Sequence, residues 1–342
     1  MRPSVATETL RARLAETLRP LIAPTDRVAL IDFPNYPNVG DSAIYLGELA
    51  CLASLGVPFP RFICDLRTYD RAELAHRLGP GGLILLAGGG TFGDLWPAPQ
   101  ELREEIVRSF PQHRIIQLPQ TIHFERPDAL RRARSVVNGH RHITLLVRDA
   151  QSLEIARSEF TAASHLCPDA AFALGSLGRP RRATQHRLWL LRTDKESRGG
   201  VTRPVGEFAV DWLEEPAMWR RRASYLLMGA VRRKGIAPVA RPLLMRLYAS
   251  LARQRLTRGL ELLASAQVVI TDRLHGHILC VLMGMPHVML DNSYGKLSSF
   301  HETWTAGVDN VRLARSPAEA LSLAEQLAEV AVPVAGTERS LG

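Results

Sequence analysis

The feature that most constrains this fold is a repeated order of segments: a short β-branched or leucine-rich run, a loop of glycines and charged residues, then apolar residues at helical spacing. Apolar runs of this kind occupy residues 28–33, 59–64, 83–87, 115–118, 143–147, 165–167, 188–191, 268–271 and 287–290. Stretches with helical periodicity lie at 43–55, 71–78, 101–110, 128–137, 149–160, 219–233, 243–264 and 316–329. Parallel strands need a crossover between them, so this alternation predicts parallel sheets covered by helices. At 342 residues the chain is too long for one ordinary core. Two Rossmann-like α/β lobes are therefore expected, at 1–178 and 185–332, divided by the Gly- and Arg-rich stretch 175–182. Residues 333–342 are expected to form a mobile tail.

No run of eighteen or more apolar residues is present, and the N-terminus mixes Glu and Arg at helical spacing, unlike a secretory signal. Cys51, Cys64, Cys167 and Cys280 are widely separated and form no zinc pattern. A cytoplasmic protein with reduced thiols is expected. The net charge of +9 is concentrated: residues 216–260 hold eleven Arg and Lys and no acidic residue, which leaves about −2 for the rest. No nucleic-acid motif accompanies this charge, so nucleic acid is not an expected partner. Two readings of 216–260 stand open. One is a surface for anionic lipid or a lipid-linked diphosphate. The other is a helical pair with a solvated basic face, its apolar residues Trp219, Tyr225, Leu226, Leu227, Leu244 and Tyr248 in the core.

Ligands of open parallel sheets sit beyond the carboxyl ends of the strands. Four loops fall at such ends: 38–42, 88–94, 148–149 and 272–277. They bring together glycine backbone, Arg148, Arg273, His275 and several carboxylates. Guanidinium forks and helix N-terminal N–H groups bind phosphate and carboxylate, which points to an anionic small molecule. Gly88-Gly89-Gly90 lacks both the P-loop ending and the dinucleotide spacing. His275 and His277 are two apart, so on a helix they face nearly opposite ways, and no metal is expected. Neither a Gly-x-Ser-x-Gly elbow nor His-Glu-x-x-His occurs. Asp41 or Ser42 is the expected cap of the helix over 43–55. Asp272 is a candidate cap, and Arg273 a candidate ion-pair partner, if the 272–277 loop is purely structural.

Asn38-Val39-Gly40-Asp41, Gly88-Gly89-Gly90-Thr91, Arg148-Asp149-Ala150-Gln151-Ser152, Pro168-Asp169 and Thr271-Asp272-Arg273-Leu274-His275 together resemble, in order, the motifs of the polysaccharide pyruvyl transferase family. The resemblance implies a GT-B-like fold with the active site in the cleft between lobes. It implies transfer of the pyruvyl group of phosphoenolpyruvate onto a sugar of an exopolysaccharide or cell-envelope glycan, free or lipid-linked, as a ketal. Arg148 and Arg273 would hold the donor's phosphate and carboxylate, and His275 would be the general acid or base. Asn38, Gly40, Asp41, Gly88, Gly89, Gly90, Thr91, Asp94, Asp272 and Leu274 would line the donor and substrate site. Asp41, Asp94 and Asp272 are candidates for the base that deprotonates the sugar. No metal or redox cofactor is implied. Peripheral placement at the inner membrane would fit residues 216–260. The alternatives are a glycosyltransferase using a nucleotide sugar and a non-catalytic scaffold of glycan biosynthesis.

Overall fold

A computed structural model of the chain describes residues 1–194, 209–215, 219–233, 236–291 and 295–331. Its first sheet has seven strands: β1 (Val28–Ile31), β2 (Phe62–Cys64), β3 (Leu83–Leu86), β4 (Gly89–Gly93), β5 (Arg114–His123), β6 (Ile143–Val147) and β7 (Ala163–Leu166). Their order is β2-β1-β3-β5-β6-β7, with β4 paired to the later half of β5, and every pairing is parallel. Crossovers are made by α2 (Val39–Ser54), α3 (Arg71–Leu78), α4 (Pro97–Ser109), α5 (Pro127–Asn138) and α6 (Ala150–Glu159), while α1 (Pro3–Leu18) precedes the sheet. A turn of 3-10 helix, Ala170–Leu174, leads out of it.

The second sheet, also parallel throughout, has the order β12-β11-β10-β8-β9. Its strands are β8 (Gln185–Leu190), β9 (Ala209–Val210), β10 (Ala266–Thr271), β11 (His287–Leu290) and β12 (Val311–Ala314). With them come α7 (Trp219–Val231), α8 (Ala237–Ala264), α9 (Leu274–Leu282), α10 (Lys296–Phe300) and α11 (Pro317–Ala331). Side chains alternate along each strand, which explains the division of the core. Leu30, Leu85, Leu190 and Val269 belong to one cluster that runs through both sheets. Ala29, Ile84 and Leu145 form a second cluster on the other face of the first sheet, and Trp189, Val268 and Val288 a third with α11. The two sheets thus share apolar core. All four cysteines are buried and unpaired.

Several elements differ from expectation. Most of the glycine stretch is a strand, β4. Gly89 and Gly93 take φ of +126° and +156° there, and a Cβ on Gly93 would overlap the His123 carbonyl. A register shift in β5 between Gln117 and Gln120 lets its first half pair with β3 and its second with β4. The cap of α2 is Asn38, whose Oδ1 accepts from Gly40 N at 3.0 Å, because the helix begins at Val39, ahead of Asp41 and Ser42. Likewise α9 starts at Leu274, so Arg273 occupies the cap position and Asp272 lies outside it. β9 and β12 are not expected from sequence: β9 is only the pair Ala209-Val210, and β12 is interrupted by Arg312. Ser316 does cap α11, accepting from Glu319 N at 3.2 Å, with Pro317 in the first turn. The expected tail, 333–342, lies outside the described residues. Among the described residues no helix is long and apolar enough to cross a membrane.

Candidate active site

The carboxyl ends of β1, β7 and β10 face one another, and each sends a short loop into the space between them. From β10, the chain turns at Arg273 into α9 and places His275 in the first helical turn. From β1, it turns at Asn38 into α2 and places Gly40 against that ring: a Cβ on Gly40 would stand 2.6 Å from His275 Cβ and 2.7 Å from Nδ1. Only glycine permits this approach. From β7, Asp169 projects its carboxylate so that Oδ2 lies 3.4 Å from His275 Nε2. His275 Nε2 is buried and sits at ion-pair distance without the alignment of a hydrogen bond.

Asp169 is fully buried and is fixed from two further sides: Arg148 Nη1 donates to Oδ2 at 2.6 Å, and Ala171 N donates to Oδ1 at 2.9 Å. Burial pushes the Asp169 carboxyl up. His275, Arg148 and the Ala171 N–H together outweigh that and hold it well below the usual carboxylate range. Arg148, buried as well, donates from Nε to Thr121 Oγ1 at 3.0 Å, and its carbonyl accepts from Trp304 Nε1 at 2.8 Å. The sequence reading gave Arg148 to a donor anion; in the structure its Nη1 is already on Asp169.

Arg273 stands apart from this group although only two residues separate it from His275. Its Nη2 donates to Asp211 Oδ2 at 2.5 Å and reaches Asp194 Oδ2 at 3.5 Å, with the guanidinium 5.7 Å from the Trp212 ring centroid. Its Nε is buried without a partner. Asp272 accepts from Arg192 N at 2.8 Å, and burial pushes its carboxyl up to about 6 against the pull of that N–H and of Arg192 and Arg273. Leu274 is buried in the shared core.

Next to the histidine lies a group of carboxyls. Asp41 accepts from Asn38 Nδ2 through Oδ2 at 2.7 Å, and its Oδ1 faces the Gly89 backbone. Glu48, two turns along α2, accepts from Gly88 N through Oε1 at 2.6 Å and leaves Oε2 buried with no partner. Burial pushes Glu48 up to about 8, with Asp169, Asp32 and Asp41 adding to the rise and the Gly88 N–H opposing it. Asp32, held at φ +77°, is pushed up to about 7 by burial, with Arg103 pulling the other way and Asp65 and Asp41 adding to the rise. Thr91 donates from its backbone to Gln120 Oε1 and accepts from Arg103 and Gln120 through Oγ1, which holds β4 in place beside Gly90. Asp94 is further off, with both oxygens accepting backbone N–H groups of Glu125 and Arg126.

His277 does face away from His275. It bonds His287 at 2.7 Å and Thr305 at 3.0 Å in a buried chain, and burial holds it well below the usual imidazole range. Among the described residues no three His, Cys, Asp or Glu are grouped so as to hold a metal ion. A cavity of about 750 Å³ lies at the opposite, amino end of the first sheet, lined by Arg114, Ile143 and neighbours, far from this chemistry. Glu48, Asp32, Asp194 and Asp211 were given no role from sequence, and Asp169 only marked a motif. One signal existed: Asp41 and Glu48 are seven apart, two turns on one helix face in an otherwise apolar stretch.

Fold and site together define an α/β enzyme whose buried histidine–aspartate pair joins two parallel sheets. Residues 38–294, which contain nearly all of these groups, match the family model described as polysaccharide pyruvyl transferase. The chain belongs to the polysaccharide pyruvyl transferase family. It is 36% identical to pyruvyl transferase 1 of Schizosaccharomyces pombe, over 88% of this chain and 76% of that protein. It is 30% identical to EpsO of Bacillus subtilis, whose name assigns it to the pyruvyl transferases, over 86% of this chain and 90% of that one. In fold it resembles a functionally uncharacterised Klebsiella pneumoniae protein of known crystal structure. That likeness has a TM-score of 0.60 at 15% identity and covers 90% of this chain and 99% of the other.

Proposed function

We propose that this transferase takes the pyruvyl group from phosphoenolpyruvate and places it on two hydroxyls of one sugar as a cyclic ketal, releasing phosphate. The reading places the reaction in a GT-B-like cleft between lobes 1–178 and 185–332, on the cytoplasmic side, with a free or lipid-linked glycan precursor as acceptor. One observation carries it: a histidine seated against Gly40, with its Nε2 beside an ionised, buried Asp169, in the span that matches the family. Protonated His275 gives its proton to the donor methylene, and cationic charge develops on the neighbouring carbon. Asp169, ionised and 3.4 Å away, stabilises the imidazolium before transfer. A sugar hydroxyl adds to that carbon and loses its proton. The bond from that carbon to the phosphate oxygen then breaks, phosphate leaving with the bonding electrons, and a second hydroxyl adds to the resulting cation and gives its proton to the departing phosphate, which closes the ring. Nothing in this sequence calls on a metal or redox group.

The donor's carboxylate and phosphate go to Arg273 and Arg148, through the guanidinium edges that Asp211 and Asp169 leave over. Of the three carboxylates expected to supply the base, Asp41 fits best. Both Asp94 oxygens hold backbone, whereas Asp41 and Asp272 each keep one oxygen without a hydrogen bond among the described residues, and of these two Asp41 adjoins Gly40, against which the His275 ring packs. The test is acceptor-dependent phosphate release from phosphoenolpyruvate across a panel of sugars. Consumption of nucleotide sugar with phosphoenolpyruvate untouched would give the site to glycosyl transfer.

A further inference from the structure

The basic segment resolves into two populations. Arg241, Arg255 and Arg258 point inward. Arg241 is buried on Glu73 and on the Ile63 and Thr68 carbonyls, Arg255 is buried on Glu215 and the Pro34 carbonyl, and Arg258 reaches the Pro37 and Trp212 carbonyls. Arg232 is tied to the Arg67 carbonyl. These residues pin α8 and the end of α7 to the first lobe. By contrast Arg222, Arg233 and Arg246 are exposed, and their guanidiniums make no hydrogen bond or ion pair among the described residues.

The exposed arginines share their helix faces with apolar side chains. On α7 the inward residues are Ser224, Met228 and Val231, and the outward ones are Arg222, Tyr225, Leu226 and Gly229. On α8 the inward residues are Ala240, Leu244 and Tyr248, and the outward ones are Val239, Leu243 and Arg246. Leu226 is 77% exposed and Val239 70%, with Leu243, Ile236 and Tyr225 between 41% and 50%. Leu244 and Tyr248 fill the core, as the helical-pair reading expects, while Tyr225 and Leu226 do not. Half of the large apolar residues exposed among the described ones fall within this one helical hairpin and its turn.

We propose that the outer face of the α7–α8 hairpin is a docking surface for an anionic lipid bilayer. Leu226, Ile236, Val239 and Leu243 enter the interface, and Arg222, Arg233 and Arg246 lie against the headgroups. The occupant follows from charge. Residues 216–260 carry no acidic side chain, so a second copy presenting the same face about a twofold axis would set arginine against arginine. A negatively charged surface complements both the arginines and the apolar residues between them. This inference does not rest on the donor proposed above, and either can fail alone.

Cosedimentation of the full chain with phosphatidylcholine vesicles, with and without phosphatidylglycerol, tests it. Binding is expected only to the phosphatidylglycerol vesicles and is expected to weaken in high salt. The triple variant Arg222→Gln, Arg233→Gln, Arg246→Gln should lose about a hundredfold in partitioning. Leu226→Ser with Val239→Ser should lose at least about tenfold. A Tyr225→Trp reporter, quenched by brominated phosphatidylglycerol, reads insertion without disturbing either set. Equal partitioning to both vesicle types, wild-type binding by the variants, or an unquenched reporter overturns the proposal. So would a dimer that the serine variant dissolves in a chain that ignores vesicles.

Discussion

Asp169 is the residue whose part is clearest in the structure and least visible in the sequence. It touches His275, Arg148 and the Ala171 backbone at once, and those contacts come from separate elements. Replacing Asp169 with Asn leaves the shape and removes the charge. Turnover per folded molecule should fall by roughly a hundredfold, within the range of acid–base assistance, and stability should drop because Arg148 is left buried and unpaired. Steady-state rates and urea midpoints on the same preparation check both; turnover near wild type would remove Asp169 from the chemistry. Glu48 makes a separate prediction. Its carboxyl is pushed from an ordinary value of 4.5 up to about 8, so between those values the folded chain keeps a proton that the unfolded chain has released. The folded state is then the one that binds more protons, and stability must fall as pH rises through this window. Asp32, at about 7, and Asp272, at about 6, act in the same direction over narrower windows. Glu48→Gln should therefore flatten, without abolishing, the loss of stability between pH 5 and pH 8. Equal slopes in urea titrations of wild type and variant would contradict the assignment.

At the scale of elements, what fits together is two helix starts. α2 and α9 each begin just beyond the carboxyl end of a parallel strand, and the missing side chain at Gly40 lets the His275 ring lie against the α2 backbone. Gly40→Ala should cost activity by at least about tenfold, since a misplacement of about 1 Å at a reacting group can cost a hundredfold. Because His275 Cβ itself is overlapped and no side-chain rotation moves it, the starts of α2 and α9 must part slightly, so some stability should be lost along with activity while the fold persists. Normal kinetics in that variant, with normal circular dichroism, would show that the close approach is not needed. Legibility in the sequence divided along the same lines. Strands with β-branched runs, such as β1, β6 and β10, were evident, and so were the helices that follow them. The glycine strand β4 reads as a loop in sequence because glycine carries no strand preference, and its pairing depends on a register shift in β5 that periodicity does not record. The expected cap of α2, Asp41 or Ser42, falls three or four residues late for a related reason: Asn38, Asp41 and Ser42 are all good capping types, and only the backbone geometry chooses among them.

For the whole molecule, the order of motifs gave the strand ends that meet, while the distances between them belong to the tertiary fold. His275, Gly40 and Asp41 were chosen from sequence and are neighbours. Arg273 was chosen as well and sits on Asp211 and Asp194, carboxylates that lie far from it in the chain. A net charge of +9 looked like one surface property. It is partly internal, because Arg241 spends its charge on the partly buried Glu73 of α3, which ties the hairpin to the first sheet's side, and Arg255 spends its charge on Glu215 just ahead of α7. What remains outside carries the membrane prediction. The pyruvyl reading is tested most directly by running the reaction in deuterium oxide with phosphoenolpyruvate and an accepted sugar, then examining the product by NMR. Proton delivery to the donor methylene predicts a ketal whose methyl group carries a solvent-derived deuteron, formed by wild type and not by folded His275→Ala. A ketal without deuterium, or one formed as readily by the His275→Ala variant, would contradict it.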